Sequence, residues 1–413
     1  MFDEIARDVR TIQVPKRGRV VEVSGPVPFV VVDETGALVA PIRRFLVDFV
    51  AQGNSPNSVR SYAFALLRWW RWLCAVDVEW DQATAAETRD LVLWLGFHSK
   101  PRTSPRTRSL ATAGTVNPLT RKRYLDDRYA ARTIRHSNAV VRSFYEFWIE
   151  VGEGPLINPV PLARGGGRAN AHHNPLEPYR PGGRIRYNPK LPKRQPREIP
   201  DPQWQALFAA LRSNRDRAVL ALAVSTAARA QEILGLRVAD VDWGEQLVQV
   251  IRKGTQSSQW LPASAEAFVW LRLYLAEFGE PLDPNQHLWR TLRRRDRGEG
   301  PHHQPMSYDA LRKVLTRANA ALGTNWSMHD ARHTCALRMV RDENLDARDV
   351  QIILGHAHLS TTADIYLVED QAQIVRRVQH HLADRRATPP PLPPAGIQGY
   401  DDSDLTILFG GQL

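Results

Sequence analysis

Four short stretches of this chain combine residue types that can do chemistry together. In Thr226-Ala-Ala-Arg229-Ala-Gln-Glu232 an arginine interrupts small and apolar residues, and a carboxylate follows three positions later. At that spacing on a helix Glu232 can fix the guanidinium fork and leave donors for an anion such as phosphate, although a structural salt bridge fits the segment equally well. Lys253 sits at the tip of residues 247 to 262, where apolar and polar residues alternate around a glycine-containing turn and predict a β-hairpin. His329-Asp-Ala-Arg332-His333 opens a helical pattern, so His329 and Arg332 share a face near a helix N-terminus whose dipole also favours an anion. A zinc pair of His329 and His333 is the rival reading. It is disfavoured because Asp330 stands where the usual metalloprotease base is glutamate and because Arg332 would set a fixed cation beside the metal. In Leu354-Gly355-His356-Ala-His358 the glycine ends a helix and releases His356 into a loop, and Tyr366 follows His356 by ten residues. Taken singly, each of these histidines reads better as a satisfied interior residue, and Tyr366 as a packing aromatic.

Their order changes the weighing. Arg229, Lys253, His329, Arg332, His356 and Tyr366, in that sequence, resemble the catalytic domain of the tyrosine recombinases, the phage integrase family. The resemblance covers roughly residues 200 to 380 and, more weakly, residues 41 to 160 as the helical core-binding domain. It implies that the six residues form one site acting on a DNA phosphodiester. A free tyrosine hydroxyl, with a pKa of about 10, is a poor nucleophile at neutral pH and needs help. Arg229 and Arg332 would hold the non-bridging oxygens of the pentacoordinate phosphorus, without metal. His329 would accept the proton of Tyr366, His356 would donate a hydrogen bond to the phosphate, and Lys253 would be general acid to the departing 5′ oxygen. The product is a 3′-phosphotyrosyl DNA, resealed without ATP, and no Gly-x-x-x-x-Gly-Lys-Ser/Thr loop occurs in the chain. Two departures stand out. Many members place the tyrosine one residue nearer the Leu-Gly-His histidine, and Thr-Ala-Ala-Arg229 replaces a frequent Thr-Gly-Leu-Arg. The implied partners are double-stranded DNA, three further copies of the chain in a homotetramer on two duplexes, and accessory DNA-bending or directionality factors. No cofactor is implied. Two other classes remain as alternatives: a catalytically inactive DNA-binding protein with the same fold, and a metal-dependent hydrolase using His329, His333, His356 and His358.

The elements that must position these residues follow from pattern and composition. The chain of 413 residues is long enough for more than one core. Residues 1–40 hold short β-branched runs, a strand-containing arm. Residues 41–160 show helical spacing with a heavy aromatic face (Trp69, Trp70, Trp72 and Trp148), read as core rather than base-stacking platforms. Residues 161–197 form a basic Gly- and Pro-rich linker suited to following phosphates. Residues 198–386 are the catalytic domain, and 387–413 a proline-rich, then acidic and apolar tail whose Leu405, Ile407, Leu408 and Phe409 are expected to dock on a neighbouring subunit. The expected fold class is therefore mainly α in two domains: an all-α domain of the core-binding, SAM-like type, then a mixed α+β domain with a small hairpin or sheet. Charge agrees with a polyanion partner. The net charge is +11, and between Lys100 and Pro200 there are 20 basic and 7 acidic residues. Further phosphate contacts are expected from Arg121-Lys122-Arg123 and from the run Arg290 to Arg297. Two cysteines, Cys74 and Cys335, fit reduced core thiols, and the lack of a signal-like N-terminus or a long apolar run predicts a cytoplasmic protein without a membrane span, which the resemblance implies is nucleoid-associated.

Overall fold

The computed structural model describes residues 7–100, 111–163, 183–191, 197–253, 255–278, 282–294, 296 and 302–356. Tyr366, His358 and the tail lie outside the described residues, as do much of the 161–197 linker and Arg295 and Arg297. The chain divides into two compact units, residues 1–194 and 195–413. Both are mainly helical with a small antiparallel sheet.

In the first unit β1 (Arg19–Glu22) and β2 (Phe29–Val32) form a hairpin with Val20 opposite Val31. Helices α1 (Ala40–Ala51), α2 (Pro56–Ala75), α3 (Ala85–Phe97) and α4 (Ala131–Val151) follow. Two of the helix starts are capped by side chains. Ser55 Oγ accepts from the Ser58 amide, and Thr84 with Glu87 forms a capping box, so the exposed first-turn donors are satisfied. Trp69 and Trp72 from α2, Phe144 and Trp148 from α4, and Phe45 from α1 share one core, whereas Val47 turns outward. The indole of Trp69 donates to the Tyr145 hydroxyl at 2.9 Å, which donates to the Trp80 carbonyl at 2.7 Å, so the polar atoms of Trp69 and Tyr145 are satisfied in the core, whereas the buried Trp148 indole N–H has no hydrogen-bond partner among the described residues. Val30, Val31 and Val32 bury in this same cluster; the hairpin is held by the helices' own core. Part of the linker is ordered too: Leu162 bridges Ile185, and Asn138 donates to Asn188 at 3.0 Å. Its composition gave no hint of this, because the pairing joins residues on either side of the glycine-rich stretch.

The second unit contains α5 (Asp201–Ala209), α6 (Asn214–Thr226), α7 (Ala230–Leu234), the strands β3 (Val241–Asp242), β4 (Leu247–Ile251) and β5 (Ser258–Pro262), then α8 (Ala265–Ala276), α9 (Tyr308–Leu322), α10 (Met328–Arg341) and α11 (Ala347–Leu354). The predicted hairpin is β4 and β5, with Val250 opposite Gln259, and β3 adds a third antiparallel strand. Asp201 lies inside the first turn of α5; the capping position is Pro200. Helix α6 is buried along Ala218–Ala223 and forms the centre of this core, packed on α8 and α10. Cys335 is buried as expected, in a smaller cluster with Ala227, Ala336, Val350 and Leu354, while Cys74 in the first unit is only half-buried. Among the described residues no helix is long and apolar enough to cross a membrane.

Candidate active site

Helix α6 ends at Thr226, and the chain reverses through Ala227, whose left-handed φ of 52° is unusual for a residue with a Cβ. That turn delivers Arg229 to the start of α7. Its backbone amide and one terminal nitrogen both donate to Glu232, each at 2.8 Å, so the carboxylate caps the helix and orients the guanidinium together, as the spacing predicted. Glu232 does more than pair with Arg229. Oε2, which takes the Arg229 amide, also accepts from Arg252 at 3.0 Å, and the Lys253 amide lies 3.3 Å from Oε1. Burial pushes this carboxyl up, but the hydrogen bonds from Arg229 and the charge of Arg252 outweigh it and hold Glu232 ionised below its ordinary range.

Arg332 lies one turn inside α10, buried, with one terminal nitrogen donating to the Ala227 carbonyl and the other to Leu354 at 2.7 Å. The second nitrogen also lies 3.4 Å from His356 Nε2. His329, exposed in the first turn of α10, packs edge-on against His333 with ring centroids 4.1 Å apart. Asp330, whose type was weighed against a metalloprotease base, accepts from the amide and hydroxyl of Ser327 at 2.8 and 2.6 Å and so closes a capping box. His356 leaves α11 through Gly355, which adopts the left-handed conformation expected of a helix-ending glycine, φ 61°. Burial, then the charges of Arg332, Arg229 and Arg252, lower the His356 pKa to about 4, so its ring is neutral at pH 7. The structure thus brings Arg229, Arg252 and the Lys253 amide onto Glu232 and sets Arg332 beside neutral His356, whose pKa also feels Arg229 and Arg252, with His329 one turn before Arg332.

One member was missed. Arg252 is as buried as Arg332, and its period-two phase with buried Val248 and Val250, against exposed Ile251, was the available signal. In the first unit a groove between α2 and α4 is lined by Arg60, Ser61, Arg68 and His136, none of which stood out in the sequence because the two helices lie far apart in it. Arg121 is held in a left-handed conformation (φ 55°) on a loop pinned by Asn117, whose side-chain oxygen accepts from Leu119 and Thr120 at 2.9 and 2.8 Å.

Residues 198–373 match the model of the phage integrase family. Transposase A from transposon Tn554 of Staphylococcus aureus is 24% identical over 352 residues, covering 82% of this chain and 90% of that protein. Tyrosine recombinase XerD of Ralstonia nicotianae is 31% identical over 197 residues, 46% of this chain and 62% of its own length. Among solved structures, the Tn1549 transposon integrase in complex with circular intermediate DNA matches with a TM-score of 0.52 at 12% identity, covering 82% of this chain and 98% of that one. The recombinase XerH bound to a palindromic difH substrate matches with a TM-score of 0.51 at 14% identity, over 81% and 82%. At these identities the two structures speak for the fold.

Proposed function

From the premise that residues 198–373 are a domain of the phage integrase family, we propose that this chain is a site-specific DNA recombinase that cuts and rejoins duplex DNA through Tyr366. The observation that carries the reading is that Arg229 and the Lys253 amide meet at Glu232, while Arg332 lies 3.4 Å from His356, whose pKa is lowered by Arg229 as well as Arg332. A cluster of fixed cations, one of them half-buried and one buried, suits an oxyanion whose charge grows in the transition state. In the proposed step the Tyr366 hydroxyl oxygen attacks phosphorus and its proton passes to His329. The bond from phosphorus to the 5′ oxygen breaks; that oxygen leaves with the electron pair and takes a proton from Lys253. Neutral His356 keeps an N–H for a phosphate oxygen, and Arg229 and Arg332 hold the others. One phosphoester replaces another, so the reverse step reseals the strand without ATP.

DNA backbone contacts are assigned to the groove of Arg60, Arg68 and His136 and to the pinned loop carrying Arg121, Lys122 and Arg123, which supply affinity rather than sequence reading. A homotetramer on two duplexes and accessory bending factors complete the proposal, as does a place in the cytoplasm on the nucleoid. The test is incubation with plasmid carrying the DNA beside the chain's own gene, quenched in denaturant. The expected result is a covalent protein–DNA adduct, lost in Arg332→Ala and in Arg229→Ala. DNA binding without adduct on any such site would favour an inactive scaffold instead.

A further inference from the structure

We propose that Arg252 is a positioning residue that places the acid, Lys253, by locking its hairpin to the turn that carries His356. The inference rests on the reading of Lys253 as general acid. Arg252 follows β4 in phase with Val248 and Val250, so its side chain runs inward while its neighbour Lys253 stays exposed. Each nitrogen of its guanidinium has a different partner. Nη1 donates to Glu232 Oε2 at 3.0 Å, Nε donates to Gln259 Oε1 at 2.8 Å, and Nη2 donates to the Ile353 carbonyl. A planar, rigid fork thereby ties three elements: α7, β5 and the C-terminus of α11.

The lock has a second half. The carbonyls at the end of α11 are met by side chains: Gln259 reaches Ile352 at 3.1 Å, whose carbonyl also accepts from the Gly355 amide at 3.0 Å, Arg252 reaches Ile353 and Arg332 reaches Leu354. Positive charge there is also favoured by the helix dipole. The guanidinium lies close to Gly355, where an added Cβ would sit 2.9 Å from Nε and 3.1 Å from Cζ. So the residue before Lys253 and the residue before His356 lie against each other. Lys253 has no comparable anchor of its own among the described contacts beyond its amide on Glu232.

The chemistry of the leaving group separates positioning of the acid from a merely structural role. If the 5′ bridging oxygen of the substrate is replaced by sulfur, the leaving thiolate needs no proton, because a thiol is a far stronger acid than an alcohol. Single-turnover cleavage of the oxygen and sulfur substrates is compared for the wild type, Lys253→Ala, Arg252→Lys and Gln259→Leu. On the oxygen substrate Lys253→Ala is expected to be slower by about 100-fold or more and Arg252→Lys by about 10-fold or more, with both within about 3-fold of wild type on the sulfur substrate. Equal slowing of Arg252→Lys on both substrates, or no slowing on either, overturns the proposal. Should Arg252→Lys fail to fold, Gln259→Leu, a partly exposed partner of the same fork, decides by the same criterion. Lys253→Ala that sulfur does not rescue would instead remove the reading of Lys253 as acid, and this inference with it.

Discussion

Glu232, with a side chain 1% exposed, is the one carboxylate that two guanidinium groups and the Lys253 amide share. Removing it leaves Arg252 buried beside no countercharge, and an orphaned buried ion is costly. Glu232→Ala is therefore expected to destabilise the fold by about 3–5 kcal/mol, read from the denaturant midpoint; a loss under about 1 kcal/mol would mean that the pair is solvated. His356 gives a second residue-level prediction. Its folded pKa of about 4 lies below the ordinary histidine value of about 6.5. The stability it contributes is then complete above pH 6.5 and is lost as pH falls toward 4, because the unfolded chain binds the proton first. Labelled-histidine NMR should find a midpoint near 4 for His356, and one near 6.5 would contradict the electrostatic picture. At this scale the sequence revealed the residues whose type and order are characteristic, Arg229, Lys253, Arg332 and His356. Arg252 escaped because a charged residue beside a hairpin tip reads as solvated unless its phase with the inward valines is followed.

Two left-handed turns place the site's elements, and they should respond to substitution in opposite directions. Ala227, between α6 and α7, bears a Cβ at φ 52°; Gly355, after α11, has φ 61° and the Arg252 guanidinium against it. Ala227→Gly is expected to raise stability by about 1 kcal/mol and Gly355→Ala to lower it by about 1–2 kcal/mol, with the latter also slowing cleavage. Thermal unfolding of both variants checks this, and the same sign for both would contradict it. Helix boundaries were legible where a side chain announces them: Ser55, Thr84 and Gly355 are all where capping chemistry predicts. Strand β3 was not, since two residues are too few for an alternating pattern and form only because β4 offers its edge.

Across the whole chain, the excess of positive charge in residues 100 to 200 was plain from composition, but composition does not say which side chains line a surface. The groove of Arg60, Arg68 and His136 joins helices that the sequence keeps apart, so it emerges only on folding. If Arg60 meets a phosphate there, the slope of log affinity against log salt should shrink by about 0.9 in Arg60→Ala, uniformly across DNA sequences. An unchanged slope would remove the groove from the DNA interface. The central claim concerns a residue outside the described structure, Tyr366, set one position farther from its histidine than in many similar chains. It is tested most directly by digesting the covalent protein–DNA adduct and sequencing the modified peptide by mass spectrometry. The account predicts a nucleotide-linked phosphate on Tyr366 and no adduct from Tyr366→Phe; an adduct on any other residue, or one that survives Tyr366→Phe, would contradict it.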